Sequence, residues 1–180
     1  MKSALIAMFL VMVVLALSAL AQDASSRLAL ACGPKDVAFT VKMDLSHEPA
    51  EPEPGKARVA FIQDDSTWGG HQHYAMKIGL DGAWVGAYKQ NSYFTVSVDT
   101  GEHHVCANVQ SKASIGRLLA LAHFTAEPGK IYYFRTRFFG GMPGIESAPP
   151  YVDLETVDGD EAKYLMASFP QITASQPSKP

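Results

Sequence analysis

Apolar and polar positions alternate along much of this chain, and the alternation predicts strands. In Ser92–Val98, Phe94, Val96 and Val98 share one face, and Tyr93, Thr95 and Ser97 share the other. In His103–Val109, Val105, Ala107 and Val109 fall together. Asp81-Gly82 sits between two apolar segments, Tyr74–Leu80 and Ala83–Ala87. It predicts a type I′ hairpin, whose two central residues both need positive φ. Trp84 and Val85 of the return strand point to opposite faces. Asp99-Thr100-Gly101 marks the next turn. Val37–Lys42 also alternates. Ala57–Gln63 is apolar on both faces, which predicts a central strand covered on both sides. Arg117–Ala126 is rich in Leu and Ala and suits a helix by propensity, but its place between strands predicts another strand. Ile131–Arg137 and Tyr151–Thr156 complete the set. After Asp158 the period changes: Ala162, Leu165, Met166 and Phe169 recur at helical spacing, with Asp158 as the cap and Pro170 as the stop.

The expected fold is all-β, an antiparallel β-sandwich of eight or nine short strands with one C-terminal helix. Ser46–Gly55, Asp64–His73, Ser111–Gly116 and Gly140–Pro150 are the polar, Gly- or Pro-rich connections. The Pro/Ser-containing residues 170–180 read as a disordered tail.

The first residues follow a different pattern. Lys2 precedes an almost unbroken apolar run, Ala4 to Ala19, and Ala19-Leu20-Ala21 is a small-x-small cleavage site before Gln22. Residues 1–21 therefore read as a secretory signal peptide, which places the mature chain in the periplasm or outside the cell. Residues 22–169 then form one domain, with no second apolar run of membrane-spanning length. Ala29-Leu30-Ala31-Cys32 resembles a lipobox, but five polar or charged residues separate it from the apolar run, so lipidation at Cys32 is the weaker reading.

Charge narrows the function classes. Fifteen basic residues stand against 18 acidic ones, for a formal net charge of −3. No basic block stands out, and nucleic-acid binding has no support. The two cysteines, Cys32 and Cys106, form an even pair in an exported chain and predict a disulfide. It would close a loop of about 74 residues, worth on the order of 4 kcal/mol by chain entropy.

Candidate chemistry is sparse. His71 and His73 sit in the Asp64–His73 loop, where an extended backbone would point both the same way and let them share a metal ion. They are weak candidates, because no third and fourth ligands follow at fixed spacing. His103 and His104 are adjacent in a strand and face opposite sides, and His104 shares its face with Cys106. Asp64-Asp65 and Glu51/Glu53 read as solvated loop charges. There is no nucleophile elbow, P-loop or Rossmann glycine pattern, and no cofactor is expected. Trp68, Tyr74, Trp84, Tyr88, Tyr93, Tyr132, Tyr133, Phe138 and Phe139 would suit a groove or a core equally. Trp68, in a polar loop, is the one expected to be exposed, so Trp68, His71 and His73 form the candidate binding surface.

Four motifs occur in order: the Pro-Gly-Lys turn and apolar strand of Pro54–Ile62, Leu-Asp-Gly-x-x-Val-Gly at Leu80–Gly86, Gly-Glu-His at Gly101–His103, and Glu-Pro-Gly-Lys-x-Tyr-Tyr-Phe at Glu127–Phe134. As an ordered set spanning roughly Pro54 to Ser168, they resemble the bacterial domain of unknown function 2846. The middle part is also similar to PEGA-type surface domains. Both resemblances imply a small exported β-sandwich, and neither brings a known activity or catalytic residues. The expected function is a non-enzymatic exported domain that binds an envelope protein, peptide or glycan. The rival is a metal-dependent or hydrolytic enzyme using His71 and His73, with His104 or His123 added.

Overall fold

Strand β2 (Ala57–Gln63) is buried along nearly its whole length, as its two apolar faces require. It lies inside a six-stranded sheet, antiparallel to β5 (Ser92–Val98) and parallel to β8 (Ile131–Phe139). The computed structural model describes residues 32–34, 37–44, 51–65, 74–111, 118–139 and 150–175. The remaining strands are β1 (Thr40–Asp44), β3 (Ala75–Leu80), β4 (Ala83–Lys89), β6 (Gly101–Gln110), β7 (Leu119–Ala126), β9 (Tyr151–Thr156) and β10 (Gln171–Ser175), with helix α1 at Gly159–Ser168. The larger sheet has the order β1-β10-β5-β2-β8-β9, and the smaller has β4-β3-β6-β7.

The inward faces of the two sheets share one core. Val59 and Phe61 of β2, Met76 and Ile78 of β3, Phe94 of β5, Val105, Ala107 and Val109 of β6, Phe124 of β7 and Phe134 of β8 are all buried there. Phe61 lies 5.4 Å from Phe94 and 5.9 Å from Phe134, centroid to centroid, which places β2 at the middle of an aromatic cluster. Position 86 must be small for this packing: a Cβ on Gly86 would meet the Phe94 ring at 2.7 Å. The outer face of the larger sheet is covered by α1, whose Ala162 and Leu165 pack on Ile62 and Tyr93. Asp158 caps this helix, accepting from the backbone N–H of Asp160 at 2.8 Å and of Glu161.

The Asp81-Gly82 hairpin forms as expected, with φ of 50° and 81° at its two central residues. In β4 the register against β3 shifts by one residue beyond Ile78/Gly86, so Val85 bulges. Trp84 therefore joins the outer face of the smaller sheet while Val85 packs toward the core.

The expected antiparallel sandwich with one C-terminal helix is present, and three details depart from or refine the sequence reading. First, the residues after Pro170 are not a loose tail through their first half. Gln171–Ser175 form β10, antiparallel to β1 and parallel to β5 at one register position. Ile172 supplies the reason, since it is 3% exposed and sits in the core, which outweighs the polar composition around it. This brings the strands to ten among the described residues. Second, the larger sheet is not purely antiparallel. β2 and β8 run parallel, and the two Glu-Pro-Gly-Lys turns that precede them lie side by side, with the N–H of Gly129 donating to Lys56 O at 2.8 Å and that of Arg58 to Lys130 O at 2.9 Å. The shared turn chemistry, Pro then Gly with φ of 79° at Gly55 and 73° at Gly129, starts two neighbouring strands in the same direction. Third, the strand expected at Val37 begins at Thr40 and lies at the edge of the larger sheet.

Candidate functional site

The predicted binding surface, Trp68, His71 and His73, lies outside the described residues. The ends of its loop are described, and they are polar and ordered. Gln63 is buried and its amide donates to Asp65 Oδ2 at 2.8 Å. The N–H of Asp65 donates to Asn91 Oδ1 at 2.9 Å. Beside Gln63, Thr136 and Tyr88 share a fully buried hydrogen bond of 2.7 Å. Burial pushes the Tyr88 phenol far above its ordinary pKa, so it stays neutral. Asp64 is not the solvated loop charge expected: it is 4% exposed, with its carboxylate 3.7 Å from the Arg135 guanidinium.

Arg135 leads to the largest charged cluster. Alternation along β8 puts Arg135 and Arg137 on the outer face of the larger sheet, and β9 places Asp153 and Glu155 opposite them. Arg135 donates from Nε to Glu155 at 2.9 Å and from Nη2 at 2.6 Å, and it also pairs with Glu161 of α1. Arg137 pairs with Glu155 and, at 3.3 Å, with Asp153. Burial acts to lower the Arg135 pKa, but the bonds to Glu155 and Glu161 outweigh it and raise the value. The cluster ties α1 to β8 and β9. The sequence shows Arg and Glu in these strands but not that the β8–β9 register brings them together.

A second polar cluster closes the opposite end of the smaller sheet. Asp81, in the hairpin turn, accepts from His103 Nδ1 at 2.6 Å and from the backbone N–H of His104 at 2.8 Å. His103 Nε2 donates to the Asp99 carbonyl at 2.8 Å. A carbonyl and an ionised carboxylate can only accept, so with both bonds formed the two ring nitrogens are donors, as in the imidazolium form. Burial works against charge on both partners. For Asp81 the bonds from His104 and His103 win, and its pKa is lowered; for His103 the bonds to Asp81 and Asp99 win, and its pKa is raised. The His103 ring also stacks on Phe124 at 5.3 Å.

The outer face of the smaller sheet carries the cysteines. Cys32 and Cys106 are bonded, with Cα atoms 5.1 Å apart and a sequence separation of 74. Cys106 is fully buried in β6, an internal strand. Residues 32–34 and 37–39 lie along this face as a strap leading to β1. Trp84 Nε1 donates to Pro34 O at 2.6 Å, Lys77 Nζ donates to Val37 O at 2.8 Å, and Gln110 exchanges two bonds with the Phe39 backbone. Lys77, 5% exposed, also lies 4.2 Å from the centre of the Trp84 ring. The bridge is made by this strap, and not through neighbouring strands of one sheet.

Among the described residues, the outer side chains of β7 are exposed. Leu119 is 36% exposed and Leu121 is 55% exposed, on the edge strand of the smaller sheet. His123 follows on the same face and is directly opposite His104. His103 and His104 do face opposite sides, the former toward Phe124 and the latter outward. Among the aromatic residues, Trp84, Tyr88 and Tyr93 are buried and serve as core. No group of three or more His, Cys, Asp or Glu side chains converges as a metal site among the described residues. No helix among them is long and apolar enough to cross a membrane.

The four sequence motifs now have physical roles. Leu-Asp-Gly-x-x-Val-Gly supplies a core leucine, the hairpin turn with its His-binding carboxylate, the bulge and the gap for Phe94. Gly-Glu-His begins β6 with the partner of Asp81. Glu-Pro-Gly-Lys-x-Tyr-Tyr-Phe supplies a turn that the Tyr132 hydroxyl closes by accepting from the N–H of Glu127 at 3.0 Å, and then Phe134 in the core. No curated protein and no solved structure matches the chain. A family model described as protein of unknown function (DUF2846) matches residues 53–148, more than half the chain, from the first Glu-Pro-Gly-Lys turn to the connection before β9. Cys32, the strap, α1 and β10 fall outside that span. The chain belongs to the DUF2846 family.

Proposed function

We propose that this protein is an exported, non-enzymatic domain that acts in the cell envelope by binding another protein along β7. The observation that carries the reading is the exposed pair Leu119 and Leu121 on an edge strand that pairs with β6 on one side. An edge with free backbone groups accepts an extended segment by strand addition, and alternate apolar side chains give it specificity. That favours a protein or peptide over a glycan as the occupant.

Two further facts support the reading. The buried Cys32–Cys106 bond suits an oxidising compartment, in agreement with the leader-like residues 1–21. A disulfide also occupies the Cys32 sulfur that a lipid thioether would need, which favours cleavage after Ala21 over lipid anchoring. The charged clusters at Arg135 and at His103 are engaged with internal partners and serve to join elements.

A photo-crosslinking residue placed at Leu121, with a second placed at the exposed Tyr164 of α1 as the comparison, tests the binding surface in cells. A protein product that forms from position 121, not from 164, and is lost in a Leu119→Lys background supports it. Equal products from both positions, or none from 121, would refute it. Intact-mass measurement of the exported chain tests the leader: a mass starting at Gln22 is expected, and a diacylglyceryl addition on Cys32 would overturn it.

A further inference from the structure

We propose that His104 and His123 form a two-imidazole binding site for a d-block divalent cation, Cu²⁺ first and Zn²⁺ after it. The two residues are direct partners in the β6–β7 ladder. Their relation within that ladder follows from the backbone. His104 O accepts from the N–H of Asp81, and the N–H of His104 donates to Asp81 Oδ1. Both backbone groups of His104 thus point toward the hairpin turn and away from β7. His104 and His123 are therefore a non-hydrogen-bonded antiparallel pair, the type in which Cα atoms stand about 4.5 Å apart and side chains start closer than in the hydrogen-bonded type.

Both imidazoles stand on the outer face of the smaller sheet. His104 is 59% exposed, and His123 is exposed as well. The Glu102 carboxylate, two residues earlier on the same face, lies 3.9 Å from His104 Nε2. It adds negative charge beside the cation without completing a three-ligand cluster. The protein then supplies two nitrogen ligands, and water fills the remaining positions. Imidazole suits copper and zinc, and the order of divalent affinities puts Cu²⁺ ahead of Zn²⁺. The site spans two strands, so a bound ion clips the edge strand β7 to β6. His104 joins the Asp81–His103 cluster through its backbone alone, and the His103 imidazole faces the other side.

The test uses untagged, disulfide-bonded protein and Cu²⁺ alone. Titration should saturate at one equivalent, and the electron paramagnetic resonance spectrum should show two equatorial imidazole nitrogens. His104→Asn and His123→Asn should each weaken binding by at least about tenfold and leave one nitrogen in the spectrum. A His71→Asn/His73→Asn chain should bind as the parent does. His104 and His123 are exposed, and an unchanged thermal midpoint of the metal-free variants shows that they remain folded. Unchanged Cu²⁺ affinity in His104→Asn/His123→Asn, or a parent spectrum with a single imidazole nitrogen, would overturn the proposal.

Discussion

His103 and Asp81 respond to pH in opposite senses, and both responses have a sign. The folded pKa of His103 is raised above 6.5, so its contribution is fully present below the unfolded value and is lost as pH rises through the folded one. The folded pKa of Asp81 is lowered from 3.8, so its contribution is present above that value and is lost as pH falls through the depressed one. The pair therefore stabilises most between about pH 4 and 6.5. The thermal midpoint difference between the parent and His103→Gln should be largest in that window and shrink steadily above it; a difference that grows from pH 6 to pH 9 would show that His103 is not held as an imidazolium. Gly86 makes a steric prediction. Gly86→Ala should cost about 1–3 kcal/mol by urea denaturation, because the Phe94 ring lies where the new methyl must go. Adding Phe94→Leu should recover part of the Gly86→Ala cost relative to Phe94→Leu alone, as a double-mutant cycle reads it. Both positions stand in readable motifs, but the motif shows only that a turn or a small residue is present. The carboxylate–imidazolium pair needed the β3–β6 register, which no local pattern encodes.

At the scale of elements, alternation placed β5 and β6 closely, the run apolar on both faces placed β2, and the change of period found α1 with its Asp158 cap. It failed where a short strand has few apolar residues. β10 carries Ile172 as its one large apolar side chain, so its sequence reads as tail, and only pairing with β1 and β5 makes it a strand. Ile172→Ala tests this assignment: a buried isoleucine lost from the core should cost about 2–4 kcal/mol, whereas a residue in a loose tail would cost almost nothing. The twin Glu-Pro-Gly-Lys turns were visible, but their meaning was not. Similar turns foretell nothing about adjacency until β2 and β8 are seen to run parallel from neighbouring starts. For β7, position between strands was the better guide than helix propensity, because Phe124 and Ala126 alternate into the core.

For the whole molecule, cysteine counting yielded the disulfide, and topology supplied its purpose. The bond holds a strap over Trp84 rather than joining neighbouring strands. Reduction should lower the thermal midpoint by an amount equivalent to about 4 kcal/mol, from chain entropy over the closed loop. It should also red-shift tryptophan emission as Trp84 meets water, with the far-ultraviolet strand signal retained; loss of that signal would mean that the strap is needed for the fold itself. The proposed metal pair was legible only as two histidines far apart in sequence, since their meeting depends on the β6–β7 register. One further consequence concerns time. β1 stands at the edge of the larger sheet and pairs with β10, the last strand described. A ribosome delivers β1 more than a hundred residues before its partner. Cys32 and Cys106, by contrast, are both available long before β10 is made. Oxidation can thus moor the beginning of the chain to β6 while β1 still waits, so that the late arrival of Ile172 closes a sheet whose first strand is already nearby. Chains arrested after Pro170 should therefore form the disulfide yet leave residues 40–44 open to protease, and full-length chains should protect them; protection in the arrested chain would show that β1 finds its place without its closing partner.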